Sequence, residues 1–221
     1  MKPAVFLDRD GTIIEQVHHL SKVEDVAVYP FAREALQRFH RLGYQCVVVT
    51  NQSAVGRGLL NEHELAVIHD EMRKQLGAEA ELIRGIYYST AVPVSGDPRI
   101  IEQHDRKPGP GMLMQAAQDL NLDLAASWMI GDAISDILAG RNAGCRGTIL
   151  VRTGYGTRTE FEHVGTKLQV AGCTLQVGEE TKESPQLSNG ASPQPVSCPA
   201  IDYIADTLLA AAQLVGEHDS Q

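Results

Sequence analysis

Apolar residues gather along the chain in short runs that each end on a polar or acidic residue, and stretches of helical spacing separate these runs. Ala4–Leu7 stops abruptly at Asp8-Arg9-Asp10-Gly11, as a buried parallel strand does where it feeds a functional loop. Gln45–Val49 is a second, β-branched run that ends at Thr50-Asn51. Between them, residues 30–42 carry apolar side chains at helical spacing, with Pro30 at the start and Gly43 just past the end, the usual punctuation of a helix. Asn61-Glu62-His63-Glu64 predicts a capping box for a helix to about Leu76, and Gly85–Ser89 a third strand. A loop rich in Pro and Gly leads to a helix from Pro110 or Gly111 to Leu120, then a fourth strand over 127–131 that ends at Asp132. A helix over 135–143, stopped by Gly144, and a fifth strand over 148–151 follow. Apolar periodicity from Ile201 to Val215 predicts a closing helix. This alternation specifies the α/β class: a doubly wound parallel sheet with helices on both faces. One domain over residues 1–221 is expected, with no large cap domain.

Residues 178–199 shift to Glu, Ser, Pro, Asn and Gly, a composition that buries too little apolar surface to order itself strongly. They are expected to form a flexible insertion before the closing helix. The net charge of -9 argues against a surface for nucleic acid or anionic membrane, which would repel such a chain. Any bound phosphate must be held by local positive charge or by a metal. The four cysteines, Cys46, Cys145, Cys173 and Cys198, are scattered without a CxxC pair and read as reduced thiols. The N-terminal apolar run is too brief for a signal-peptide core, and no later stretch is long enough to span a bilayer. A soluble, cytoplasmic protein is expected, with a monomer favoured.

In a doubly wound sheet the carboxyl ends of the strands share one edge, where ligands bind. Asp8 and Asp10, Thr50, Lys107, and Asp132 with Asp136 all follow predicted strands and are expected to converge there. Taken singly, each acid reads as a cap or a solvated charge. Two carboxylates directly after a buried strand, however, repel each other unless a cation joins them. Phosphoryl transfer needs this set. Asp8 can attack phosphorus to give an acyl phosphate that water then hydrolyses. Mg²⁺ suits the hard oxygen ligands, held by the Asp8 and Asp132 carboxylates and the Asp10 carbonyl. The Asp10 side chain then stays free as general acid and base, and Thr50 and Lys107 face the phosphoryl oxygens.

Asp8-Arg-Asp-Gly-Thr12, Thr50-Asn-Gln-Ser53, Arg106-Lys-Pro108 and Gly131-Asp-Ala-Ile-Ser-Asp136 resemble, in order, the signature motifs of the haloacid-dehalogenase-like phosphatases. More narrowly, they are similar to the group that contains heptose bisphosphate and histidinol-phosphate phosphatases, over roughly residues 4–156. The resemblance implies Asp8 as nucleophile, Asp10 as acid/base, and Asp8, Asp10 and Asp132 as magnesium ligands. It implies Thr50 and Lys107 as phosphate stabilisers and Arg106 as a substrate-recognition residue. Asn51, Gln52 and Ser53 fall on a substrate-contacting stretch, Arg57 lies nearby, and Asp136 supports Lys107 or metal-bound water. A small phosphorylated metabolite is the implied substrate, heptose 1,7-bisphosphate first and histidinol phosphate as the nearest rival.

Two departures from the group stand out. Its zinc loop carries three cysteines and a histidine, whereas Ser89–Asp105 has no cysteine and only His104. Structural zinc takes four ligands, so none is expected, and packing or hydrogen bonds must hold Arg106. After Thr12, the group's sugar-contacting loop is replaced by Glu15-Gln-Val-His-His19. The His18-His19 pair reads as ordinary polar loop surface, and the paired glycines near 56 and 154 as turn chemistry. A receiver-like phosphoacceptor has no use for Asp10, nor does a dehalogenase, whose halide leaves unprotonated. A scaffold working through residues 178–199 has no use for the catalytic set.

Overall fold

The computed structural model describes residues 1–164 and 201–220. Six strands, β1 (Lys2–Leu7), β2 (Gln45–Asn51), β3 (Ile83–Ser89), β4 (Leu122–Gly131), β5 (Gly147–Val151) and β6 (Tyr203–Ala205), form one sheet in the order β3-β2-β1-β4-β5-β6. Every neighbouring pair is parallel. Seven α-helices are described: α1 (Ala32–Arg41), α2 (Ser53–Gly56), α3 (Glu62–Leu76), α4 (Gly111–Leu120), α5 (Ile134–Asn142), α6 (Gly156–Val164) and α7 (Leu208–Asp219).

The near-continuous apolar strands are what a sheet covered on both faces requires. Val5, Leu7, Val48, Ile130 and Val151 pack on one side against Leu36 and Phe39 of α1, Leu65 and Met72 of α3, and Leu208 and Val215 of α7. Phe6, Val47, Val49 and Met129 pack on the other against Met112, Leu113 and Ala116 of α4, while Ile134 and Ile137 of α5 meet Leu150. Each fully buried Leu, Ile or Phe side chain contributes roughly 1.5–3 kcal/mol. The two-sided core therefore fixes the strand register, and with it the positions of the residues at the strand ends. The capping box is present: Glu64 N–H donates to Asn61 Oδ1 at 3.0 Å, and Asn61 N–H to Glu64 Oε2 at 2.7 Å.

The closing segment differs from the expected single helix. Tyr203–Ala205 adds β6 to the free edge of β5, pairing Ile149 with Tyr203 and Val151 with Ala205. Only after Thr207, whose side chain accepts from Ala210 N–H, does α7 begin. Three residues are too few to display a period of two, so the strand merged with the helical pattern behind it. Asp202 decides the matter locally. Its Oδ2 accepts from Thr148 N–H at 3.0 Å and Thr148 Oγ1 at 2.7 Å, and its Oδ1 meets Arg141 at 2.6 Å. Helix α6, which the sequence reading lacks, is mostly polar and exposed.

Residues 178–199, with Cys173, lie outside the described residues. Cys46 and Cys145 are free thiols, and burial pushes both pKa values up to about 12. Among the described residues, no helix is long and apolar enough to cross a membrane.

Asp202→Ala removes two hydrogen bonds from the β5–β6 edge and leaves Thr148 N–H without its acceptor. It should cost about 1–2 kcal/mol of stability, read as a lower urea midpoint, with turnover at ambient temperature retained.

Candidate active site

The chain reverses direction across the sheet between β1 and β4, the topological switch point at which open α/β sheets bind ligands. There a cavity of about 260 Å³ is lined by Asp8, Asp10, Thr50, Asn51, Gln52, Ser53, Lys107, Asp132 and Asp136 among others. Arg106 lines an adjoining hollow of about 180 Å³, which shares Asn51, Lys107 and Ser135 with the first. Arg57, exposed at the end of α2, lines neither.

Lys107 is the centre of charge. Its buried Nζ lies 2.6 Å from Asp8 Oδ1, 2.7 Å from Asp136 Oδ1 and 2.8 Å from the Val49 carbonyl oxygen, so all three ammonium protons are directed. Asn51 fixes its backbone: Asn51 Nδ2 donates to Lys107 O at 3.0 Å, and Lys107 N–H donates to Asn51 Oδ1 at 3.1 Å. Burial opposes the Lys107 charge, but Asp136 and Asp8 overcome it and hold its pKa above the ordinary lysine value.

One ammonium does not balance the site. Asp8, Asp132 and Asp136 are all buried, and each offers an oxygen within 4.8 Å of the others. Burial drives the Asp8 pKa up to about 7, with Asp136 and Asp10 adding to the rise and Lys107 opposing it. Asp132 is raised for the same reason, burial first and then Asp8 and Asp136. The raised acids and the raised lysine are consistent, because three carboxylates share one cation. Both Asp136 oxygens are engaged, one by Lys107 and the other by Ala133 N–H at 2.9 Å. Asp8 and Asp132 thus remain to take a further cation, and this excess of buried negative charge on hard oxygen atoms fits a divalent metal.

Asp132 sits in a slot. Tyr155 N–H donates to its Oδ2 at 2.7 Å, and Gly11 (φ 76°) and Gly154 (φ 57°) close on it from two sides. A Cβ on either glycine would come within 2.1 Å of Asp132 Oδ2.

Asp10, which adds to the negative charge felt by Asp8, has a cation of its own. Arg9, fully buried, donates from Nε to Asp10 Oδ2 and from Nη2 to Asp10 Oδ1, each at 3.1 Å. Gln52 Nε2 donates to Asp10 Oδ2 at 3.0 Å and to Thr50 Oγ1 at 2.9 Å, while Gln52 Oε1 accepts from Arg9 Nη2 at 3.0 Å. Sequence reasoning gave Arg9 no role and missed Tyr155. An arginine between two acids was the available signal for the first, and nothing local marked the second. Arg106 donates from Nη1 to the Ala91 carbonyl at 2.8 Å, so a hydrogen bond does tether it to its loop, as expected.

The comparisons with known proteins agree with this geometry. A D-glycero-β-D-manno-heptose-1,7-bisphosphate 7-phosphatase from Pasteurella multocida is 38% identical over 155 residues, covering 70% of this chain and 84% of the relative. The chain belongs to the haloacid-dehalogenase-like phosphatases. The HAD-hydrolase-like family profile matches residues 104–171. A D-glycero-α-D-manno-heptose-1,7-bisphosphate 7-phosphatase from Burkholderia mallei is 38% identical over 67% of this chain and 79% of its own length. The D,D-heptose 1,7-bisphosphate phosphatase from B. bronchiseptica, solved with magnesium and phosphate, superposes with a TM-score of 0.70 at 24% identity. It covers 98% of this chain and 99% of its own, a likeness that speaks for the fold. Phosphatases of this family use a divalent metal, and the haloacid-dehalogenase-like core of this chain has the acidic cluster to hold one.

The raised Asp8 pKa sets a pH dependence. A carboxyl whose folded pKa lies above its unfolded value loses stability as pH climbs from the ordinary carboxylate range to about 7. A divalent cation offsets that loss where the carboxylates are ionised, and protons compete with it below. The rise in melting temperature on adding saturating Mg²⁺ should therefore be larger at about pH 8 than at about pH 5.5. Scanning fluorimetry checks this, and Asp132→Asn should abolish most of the rise.

Proposed function

We propose that this phosphatase is Mg²⁺-dependent and acts on a small sugar bisphosphate, D-glycero-D-manno-heptose 1,7-bisphosphate, releasing the 7-phosphate through an aspartyl-phosphate on Asp8. One observation carries the reading. Asp8, 2.6 Å from the buried Lys107 ammonium, lines the cavity at the switch point, and unlike Asp136, whose two oxygens are both engaged, it has an oxygen left to share with Asp132 for a cation. Asp8 and Asp132 hold the metal through their carboxylates, with the Asp10 peptide carbonyl as a further ligand. When bound, the metal neutralises the phosphoryl oxygens and the nucleophile.

The steps follow from the residues. Asp8 Oδ forms a bond to phosphorus as the ester oxygen departs, and the Asp10 carboxyl gives that oxygen its proton. Asp10, now ionised, takes a proton from water as the water oxygen attacks phosphorus and frees Asp8. The products are the alcohol and inorganic phosphate. Lys107 keeps the Asp8 carboxylate and the transferred group compensated throughout. Because Thr50 Oγ1 accepts from Gln52, its own proton is free for a phosphoryl oxygen. Arg9 and Gln52 act as positioning residues: they hold Asp10 in one rotamer. Asn51 serves by holding Lys107, Ser53 lines the cavity, and Arg106 reads the substrate from the adjoining hollow.

A panel of purified protein with Mg²⁺ and both heptose bisphosphate anomers, heptose 7-phosphate and histidinol phosphate tests the assignment, since relatives carry both anomer names. Preference for a heptose bisphosphate is expected; equal turnover of every compound defeats it. Asp8→Asn should abolish turnover and trapping of labelled phosphate. Asp10→Asn should lower kcat by about 10²-fold or more, and wild-type turnover in that variant would sink the mechanism. Arg9→Met should lower kcat by roughly 10-fold with KM little changed, since it loosens Asp10 without touching the phosphate contacts.

A further inference from the structure

The chain is acidic, with a net charge of -9, yet one side of the cavity mouth is basic. His18 and His19, on the loop after β1, line the cavity with their ring centroids 4.2 Å apart. His19 has φ 53°, a left-handed conformation that is unfavourable for a residue with a Cβ. Strain of this kind persists where the surroundings fix a side chain, and it clusters at ligand-contacting positions. Arg57, exposed at the end of α2, faces His19, so the groups around this imidazole are His18 on its own loop and Arg57 opposite, both basic. Arg57 also faces Arg106, whose other charged neighbour is Glu102. Basic groups therefore follow one another along the rim from His18 to Arg106. No carboxylate is among the groups that shift His19.

We propose that His18, His19 and Arg57 form a subsite for a second phosphoryl group of the substrate, remote from the ester bond that Asp8 attacks. The inference rests on the phosphatase reading and deepens it by assigning this chain's own residues to the choice of a bisphosphate over a monoester. His18 and His19 belong to the loop that departs from the one the family resemblance led one to expect, so this is where selectivity particular to this chain resides. Burial, His18 and Arg57 lower the His19 pKa in the free protein. An anion seated between these groups reverses the repulsion and draws a proton onto the imidazole. The subsite therefore strengthens as pH falls toward the ordinary histidine range and weakens above it. The Arg57 guanidinium supplies the part of the attraction that persists at high pH.

Competition assays test the subsite whether or not the bisphosphate is turned over. Heptose 1,7-bisphosphate and heptose 7-phosphate, which differ only in the second phosphate, compete with p-nitrophenyl phosphate for the full-length protein in Mg²⁺. The readout is the ratio of their two inhibition constants. In wild type the bisphosphate should bind more tightly at about pH 6, with its advantage falling toward about pH 8. His18→Asn with His19→Asn should shrink the ratio at about pH 6 by roughly 10-fold and flatten its pH dependence. Asparagine tolerates the left-handed backbone at residue 19, so local geometry is kept. Arg57→Gln should shrink the ratio at every pH. An unchanged ratio in both variants overturns the subsite, as does equal weakening of the two inhibitors. Failure to hydrolyse the bisphosphate would defeat the substrate reading while leaving this ratio to speak for itself.

Discussion

Three buried carboxylates around one buried ammonium are the constraint on which the site depends. Removing a carboxylate from water is expensive unless charge nearby compensates it, and Lys107 cannot compensate Asp8, Asp132 and Asp136 together. The strand ends bring the acids to one edge, and a loop clasped by Asn51 brings the ammonium from the far side of the cavity. What the protein leaves unbalanced is the room for a metal and a phosphate. Structural stability is given up locally so that ligand charge completes the site, and the two-sided apolar core supplies the stability that this requires.

Asp8 and Asp10 stand two residues apart, and the structure gives each its own cation. Asp8 belongs to Lys107, Asp10 to Arg9 and Gln52. In the proposed mechanism Asp8 must stay ionised and aimed at phosphorus, whereas Asp10 must exchange a proton with the leaving group and with water. Coupling both to one lysine would tie these demands together. The buried Arg9 guanidinium pairs with Asp10, while the Lys107 ammonium pairs with Asp8 and Asp136.

The fold class and the convergence of polar residues at one sheet edge were legible in the sequence because strand-ending acids, a strand-ending threonine and an Arg-Lys pair occur where local pattern and chemistry coincide. Asp132 could be found because an apolar run stops at it. What escaped depends on distant partners. Strand β6 has no periodicity of its own and exists because Asp202 meets Thr148 across 54 positions of sequence. Arg9 is spaced like a filler within its motif and acquires its role only when Gln52 arrives from β2. Asn51 and Gln52 line the cavity, as their place at the end of β2 led one to expect, and the sequence could not show that they also hold Lys107 and Asp10. Packing or hydrogen bonds were expected to hold Arg106, and the hydrogen bond to the Ala91 carbonyl could not be read from the sequence.

The slot around Asp132 has a consequence for how this enzyme tolerates change. Gly11 and Gly154 contribute no atoms beyond the backbone, and the carboxylate occupies the space their missing side chains leave. A survey that replaces charged residues one by one would pass over both positions. Yet a single added methyl group at either would push the acid aside and disable the centre as thoroughly as removing it. The most fragile part of the site is thus a volume that must stay empty, and during sequence drift or redesign it is guarded by two residues with no chemistry of their own.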